Sequence, residues 1–476
     1  MSSPTNSHTQ ISVALTLVLV LTAFVVAAVF LRDTSTPLLE KVKQRGELVV
    51  ATRRSTTAVY DGANGPDGFE YTLAHLFANE LGVELRLVYP QTVEQLFSDI
   101  DRRKVDMVSA GLTVTSQRQQ YLAFSTPYLT VSEQVVYRVG QLRPRSLADI
   151  ADGDLHVVAS SSHEETLRRR RDSEYPELSW RSRRGNSTRE LLSQVDRGEI
   201  RLTVADSNAV AMERRFYRHI ATAFDISDSQ PIAWAFRKSG DSSLRDAANR
   251  FLAKAERDGT LQRLRARFFG HTGRLNFVDT REFWRNVRDR LPQLRPWFEQ
   301  AAAETGYDWS LLAAIGYQES HWRADAVSPT GVRGIMMLTR AAAKRVGVRN
   351  RSDPEQSILG GARYLKIVER KIPRRIQGPS RLWLTLAGYN VGFGHLEDAR
   401  ILTERDGANA DLWLEVKQRL PLLADKAYYQ TVKRGFARGQ EPVDYVDNIR
   451  NYYDMLVWFT TTRDGPAIER LLADDG

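Results

Sequence analysis

The hydrophobic positions divide the chain into three stretches with different periods. Residues 11–31, ISVALTLVLVLTAFVVAAVFL, form a charge-free apolar run diluted only by Ser and Thr. About 20 apolar residues suffice to cross a bilayer as a helix, so residues 1–33 read as a signal peptide or membrane anchor. Residues 1–10 contain no Lys or Arg, unlike the basic start of a signal peptide. Val26 and Ala28 offer a cleavage site, but an uncleaved anchor is the preferred reading. Residues from 33 onward are then expected outside the cytoplasm.

The second stretch alternates strand and helix periods. Residues 47–52 (ELVVAT) read as a buried strand, 69–81 as a helix, 83–88 as a strand, 93–100 as a helix and 105–109 as a strand. A similar run covers 155–269, closing on a helix over 243–269 and the turn GHTG at 270–273. Such alternation predicts an open α/β sheet, placed in a domain over 40–272. From 280 onward helical periodicity dominates, and seven of the nine tryptophans lie between Trp284 and Trp458. This predicts a second, mostly α domain over 273–476, its aromatic rings serving chiefly as core. Aromatic faces are also what sugar-binding grooves use.

Within that helical half, residues 307–322 read as one amphipathic helix, capped by Asp308 or Ser310. Leu311, Leu312 and Ile315 define its apolar stripe, and Glu319 falls on the same stripe. A carboxylate there is costly unless paired or protonated. One solution is pairing with Arg323 or Arg333. The other is a carboxyl kept protonated by desolvation, which is what general-acid cleavage of a glycosidic bond requires. The helix alone leaves both open.

Composition narrows the field. Lys+Arg 67 against Asp+Glu 58 gives +9, a mild excess most simply explained as a solvated basic surface. The run 168–171 is read the same way. Zero cysteine excludes disulfides, thiolate metal sites, cysteine nucleophiles and a lipid-modified N-terminal cysteine. No His/Asp/Cys ligand cluster is evident along the chain. No nucleic-acid partner is expected.

Several motifs carry resemblances. The run 105–129, the block 65–83 and VADSNAV at 204–210 resemble the family 3 extracellular solute-binding proteins over about residues 43–270. The resemblance implies two lobes closing over a cleft. It places Gly111 and Thr113 as hydrogen-bonding groups, Arg118 on a ligand carboxylate and Asp206 on a ligand ammonium. Arg53 and Thr56 stand where that family often has an acidic and an aromatic residue, which favours a peptide or modified ligand over a free amino acid. In the second half, YQESHW (317–322), SPTGVRGIMMLT (328–339), LAGYNVGFGH (386–395) and YVDNIRNYYDML (445–456) occur in the order seen in lysozyme-like lytic transglycosylases. VDTREF (278–283), DPEQSILGGARYL (353–365) and VKQRLPLL (416–423) fit as well.

The second resemblance implies Glu319 as the single catalytic acid/base. Ser320, Met336, Met337, Tyr389, Asn390 and Tyr445 would line the substrate groove, Met337 standing where relatives often have Gln. It implies a peptidoglycan lyase that cuts between N-acetylmuramic acid and N-acetylglucosamine without water, metal or cofactor, leaving 1,6-anhydro ends. The first half would then be a sensor of an amino acid or a muropeptide. Relatives associate with the outer membrane's inner leaflet, whereas an uncleaved anchor would suggest the inner membrane. Two other readings are a water-using muramidase and a non-catalytic receptor that only binds wall glycan. For the muramidase, Asp325 and Glu355 are second carboxylates by nearness in sequence alone.

Overall fold

The computed structural model describes residues 36–62, 65–271 and 277–461. The expected apolar run at 11–31 and the second half of the turn at 270–273 lie outside the described residues. Among the described residues, no helix is long and apolar enough to cross a membrane.

Among the described residues, fourteen strands build the α/β half. The first seven are β1 (Glu47–Ala51), β2 (Tyr60–Gly62), β3 (Gly65–Asp67), β4 (Glu84–Val88), β5 (Met107–Val108), β6 (Leu122–Phe124) and β7 (Leu129–Val131). The rest are β8 (Glu133–Arg138), β9 (Leu155–Val158), β10 (Arg181–Arg183), β11 (Leu202–Asp206), β12 (Ile220–Asp225), β13 (Gln230–Ile232) and β14 (Ala235–Arg237). The first lobe holds a five-stranded sheet, β4-β1-β5-β14-β6, and the second another, β10-β9-β11-β8-β12. In each, three strands run parallel and the other two join antiparallel. β1 is apolar because it lies inside its sheet, with Leu48 and Val50 in one core and Val49 and Ala51 in another. β7 and β13 pair antiparallel where the chain passes between the lobes.

The helix Phe69–Leu81 falls where its periodicity places it. The strand expected over 105–109 shrinks to two residues, because the Asp106 carboxylate turns back to accept the Val49 amide at 2.8 Å. The closing helix is two helices, Ser243–Arg257 and Thr260–Phe268. Gly259, at φ 74°, breaks between them in a left-handed turn.

The second half is helical, with only isolated bridges among its described residues. The helix expected over 307–322 spans Trp309–Ser320. Asp308 starts it by accepting the Ser310 amide at 2.8 Å. His321 and Trp322, at φ 52° and 58°, end it. It is not amphipathic: residues 310–317 are all buried, because the helices Leu291–Thr305 and Gln440–Thr461 pack along it. Tyr453 donates to Asp308 at 2.9 Å, so the long last helix is tied to the start of this one.

The two halves meet through that last helix. Arg215 of the second lobe pairs with Asp454, and His271 lies 2.9 Å from the same carboxylate. Asn451 donates to the His271 carbonyl at 2.9 Å, and Phe216 packs on Trp458 with ring centres 4.6 Å apart.

Candidate active site and interlobe cleft

Glu319 sits one residue before the end of a buried helix, where the chain turns into two left-handed residues. Left-handed backbone costs a non-glycine residue about 1–2 kcal/mol. A third instance, Met337 at φ 44°, lies nearby in the fold, and such strain tends to collect at functional sites. Neither Arg323 nor Arg333 neutralises Glu319: Arg323 donates to the Ser320 carbonyl, and Arg333 is exposed. The partner of Glu319 is Tyr445, whose hydroxyl donates to Oε1 at 2.6 Å. Burial pushes the Glu319 carboxyl up to about 7, and the Tyr445 hydrogen bond only partly opposes it. Among the described residues, no second carboxylate contributes to that rise. The resulting carboxyl holds its proton up to near neutral pH, with a phenol placed to stabilise its anion once the proton has left.

Around it, the glycine-rich motifs build walls. Ser320 is buried, and its hydroxyl donates to the Ile335 carbonyl at 3.0 Å while accepting the Arg323 amide at 3.2 Å. It therefore fastens the acid's helix to the methionine segment. Met336 is fully buried in the core, and its carbonyl accepts the Tyr389 hydroxyl at 2.9 Å. Met337 is half-buried. Gly334 permits this path: at φ 82°, an added Cβ would lie 1.8 Å from the Arg351 carbonyl oxygen. Tyr389 lies close enough to Glu319 for that carboxylate to help burial raise its phenol well above the ordinary value. Asn390 is exposed near the end of helix Gly378–Val391, and Gly392 alone separates that helix from Phe393–Arg405. The fold thus gathers Glu319, Ser320, Met336, Tyr389 and Tyr445 through direct bonds or close contact. Asp325 and Glu355 are exposed.

In the first half, a cavity of about 110 Å³ lies between the lobes, lined by Arg53, Gly111, Thr113, Arg118, His163 and Asp206 among others. Arg118 is buried, and its Nε lies 2.9 Å from Glu165 of the opposite lobe. Thr115 donates to Glu165 at 2.6 Å, Thr56 to Glu213 at 2.8 Å and Ser160 to Glu94 at 2.7 Å, so the lobes are latched together. Thr113 is buried with its hydroxyl oxygen unpartnered. Gly111 offers its amide to Glu70, a buried carboxylate that also accepts from Ser109 and Tyr128. Asp206 is held by His163 at 3.1 Å. Sequence reasoning missed Glu70, which lies inside the quoted 65–83 block, and His163 and Glu165, which share the helix Ser162–Ser173, a segment quoted for no motif. It also found no ligand cluster, yet Glu133, His163 and Asp206 converge in the second lobe.

Two family models match the chain. Residues 48–271 match the bacterial extracellular solute-binding proteins of family 3, and residues 296–411 match the transglycosylase SLT domain. The membrane-bound lytic murein transglycosylase F 1 of Alkalilimnicola ehrlichii is 46% identical, covering 91% of this chain and 88% of its own. The chain belongs to the membrane-bound lytic murein transglycosylase F family. A second family member, from Yersinia enterocolitica, is 43% identical over 90% of this chain and 88% of its own. An ancestral amino acid-binding protein of known structure is similar to the first half: 25% identity, TM-score 0.43, 48% of this chain and 99% of that one. In this member of the transglycosylase F family, Tyr445 lies beyond the residues matched to the SLT domain, so the partner of Glu319 comes from the helix Gln440–Thr461.

Proposed function

We propose that this chain is a lytic murein transglycosylase with Glu319 as its one acid/base, and that its solute-binding half (40–272) regulates the catalytic half (273–476). The observation that carries the reading is a carboxyl pushed to about 7 by burial, bonded to Tyr445 and with no second carboxylate beside it. Glycosidases normally use two carboxylates; a single one suits a route in which the same group gives and then takes a proton. Protonated Glu319 donates to the oxygen linking N-acetylmuramic acid to N-acetylglucosamine, and the bond to the muramic C1 breaks. The substrate's own N-acetyl carbonyl stabilises the cationic centre. The Glu319 carboxylate, steadied by Tyr445, then removes the proton of the muramic C6 hydroxyl. Its oxygen closes on C1 to give the 1,6-anhydro ring, and Glu319 ends protonated as it began. Tyr389, Asn390 and the backbone of the methionine segment form the groove around it, with Ser320 as the brace behind.

Mass analysis of products from purified sacculi tests the route: anhydro-muramic ends are expected. Reducing ends carrying an added water would establish a muramidase instead. Glu319→Gln should lower cleavage at least 1,000-fold; undiminished cleavage would remove Glu319 from the role. A wild-type protein that binds sacculi without cutting them would make it a receptor.

The relatives' names support an envelope location, and the apolar run at 11–31 supplies the membrane device, as an inner-membrane anchor or as a leader to the outer membrane's inner leaflet. For the cleft we propose a ligand bearing a carboxylate, a muropeptide in preference to a free amino acid. The latched cavity of about 110 Å³ is smaller than the ~300 Å³ of ordinary ligand pockets, so binding requires the lobes to part. A carboxylate can do this by replacing Glu165 on Arg118. Arg53, half-buried in the cavity lining, offers a second cation. Calorimetry with wall peptides on wild type and Arg118→Ala tests it: at least tenfold weaker binding is expected, and equal binding rejects Arg118.

A further inference from the structure

We propose that Glu133, His163 and Asp206 form a binding site for a divalent transition-metal ion, zinc by its donor chemistry, in the wall of the interlobe cleft. Three segments build it. Glu133 opens β8 and pairs directly across the ladder with Asp206 at the end of β11, so both residues sit at the same end of the sheet. His163 comes from the first turn of the helix Ser162–Ser173. One ligand atom from each lies within 4.8 Å of the others.

The second observation is that two of the three groups are unsatisfied. Glu133 is 0% exposed, and neither of its carboxylate oxygens has a hydrogen-bond partner. His163 is 4% exposed, with Nε2 on Asp206 and Nδ1 unpartnered. Buried carboxylates without partners are rare, because removing the charge from water without compensation is among the largest single penalties in a fold. A trapped water can supply hydrogen bonds but no countercharge. A divalent ion supplies both, and one imidazole nitrogen with two carboxylate oxygens at about 2.0–2.2 Å is a donor set that zinc accepts. Calcium and magnesium prefer all-oxygen shells. Asp206 and His163 also line the cleft, whereas Glu133 lies behind them. The ion would therefore enter from the cleft and keep a coordination position facing it, open to water or a ligand carboxylate. It would also occupy Asp206, which the family resemblance assigns to an ammonium, and so bias the cleft towards anionic ligands. This goes beyond the regulatory reading above, and its test needs no peptide.

The test uses the full chain, stripped with a chelator and desalted. Zinc titration by calorimetry, with metal analysis after desalting, should give one ion per chain, retained against a tenfold excess of calcium. Glu133→Gln and Asp206→Asn should each weaken uptake more than about 100-fold, beyond the 10–100-fold typical of outer-sphere changes. The zinc-induced rise in melting temperature should vanish in both. Asp206→Asn alters a partly exposed side chain and guards against a folding defect in Glu133→Gln. Absence of stoichiometric uptake by wild type, or equal uptake by wild type and both variants, overturns the proposal.

Discussion

A single phenol sets how the acid behaves. Tyr445 donates to Glu319, and that bond favours the carboxylate against the burial that disfavours it. Tyr445→Phe removes the opposing influence. The alkaline limb of kcat/KM, expected near pH 7, should move to higher pH while the rate falls. If Tyr445 merely packed, the rate would fall with the limb in place. The same carboxyl makes a stability prediction. Its folded value near 7 exceeds the unfolded value near 4.5, so the unfolded chain loses its proton first as pH rises between them. The penalty is absent below about pH 4.5 and complete above about pH 7. Glu319→Gln should therefore melt higher than wild type at pH 8, by up to about 3 kcal/mol, and alike at pH 4. The sequence singled out Glu319 because a carboxyl on an apolar helical stripe needs a reason, although the stripe alone left pairing and protonation both open. Its partner's role was legible only by resemblance, since 126 residues separate Glu319 from Tyr445.

At the scale of elements, helix Trp309–Ser320 is held at both ends by one other helix: Tyr453 on Asp308 at its start, Tyr445 on Glu319 at its finish. Asp308→Ala loses a cap and a tie together. The expected cost is about 1–3 kcal/mol by chemical denaturation, with cleavage falling as the acid's helix loosens. Gly334→Ala should be worse, because the Arg351 backbone rather than a side chain meets the new Cβ; circular dichroism on heating should show a loss of more than about 2 kcal/mol. Helix periods and glycine breaks were readable along the chain, apart from the fracture at Gly259. The amphipathic reading of residues 307–322 failed for a physical reason. A helix whose residues 310–317 are all covered by neighbours has no polar face along that stretch, and its half-buried polar residues, Gln318 and Glu319, come only in its last turn.

For the whole molecule, the junction between halves is acid-sensitive. Burial pushes His271 down to about 3, so it stays neutral in the junction. Burial would raise Asp454, but Arg215 and His271 overcome it and hold that carboxylate well below the usual range. A histidine depressed from about 6.5 contributes its full share above pH 6.5 and loses it as pH falls towards 3. At pH 5 the junction should be weaker by about 2 kcal/mol. Scanning calorimetry should show one transition at pH 7.5 separating into two near pH 5, and Asp454→Asn should separate them already at pH 7.5. None of this was readable beforehand, because Arg215, His271 and Asp454 come from three distant segments and meet only in the assembled fold.

The helix Gln440–Thr461 has a consequence for how such proteins can be recombined. It brings Tyr445 to the acid on one part of its length and Asn451 and Asp454 to the binding half on another. A cut placed at residue 411, where the SLT match ends, would leave the acid without its phenol. A binding half grafted from another protein would arrive without the arginine and histidine that grip Asp454. The two halves are thus not interchangeable cassettes. Exchange between lineages has to carry residues 440–461 together with their counterparts around Arg215 and His271, or rebuild both surfaces at once.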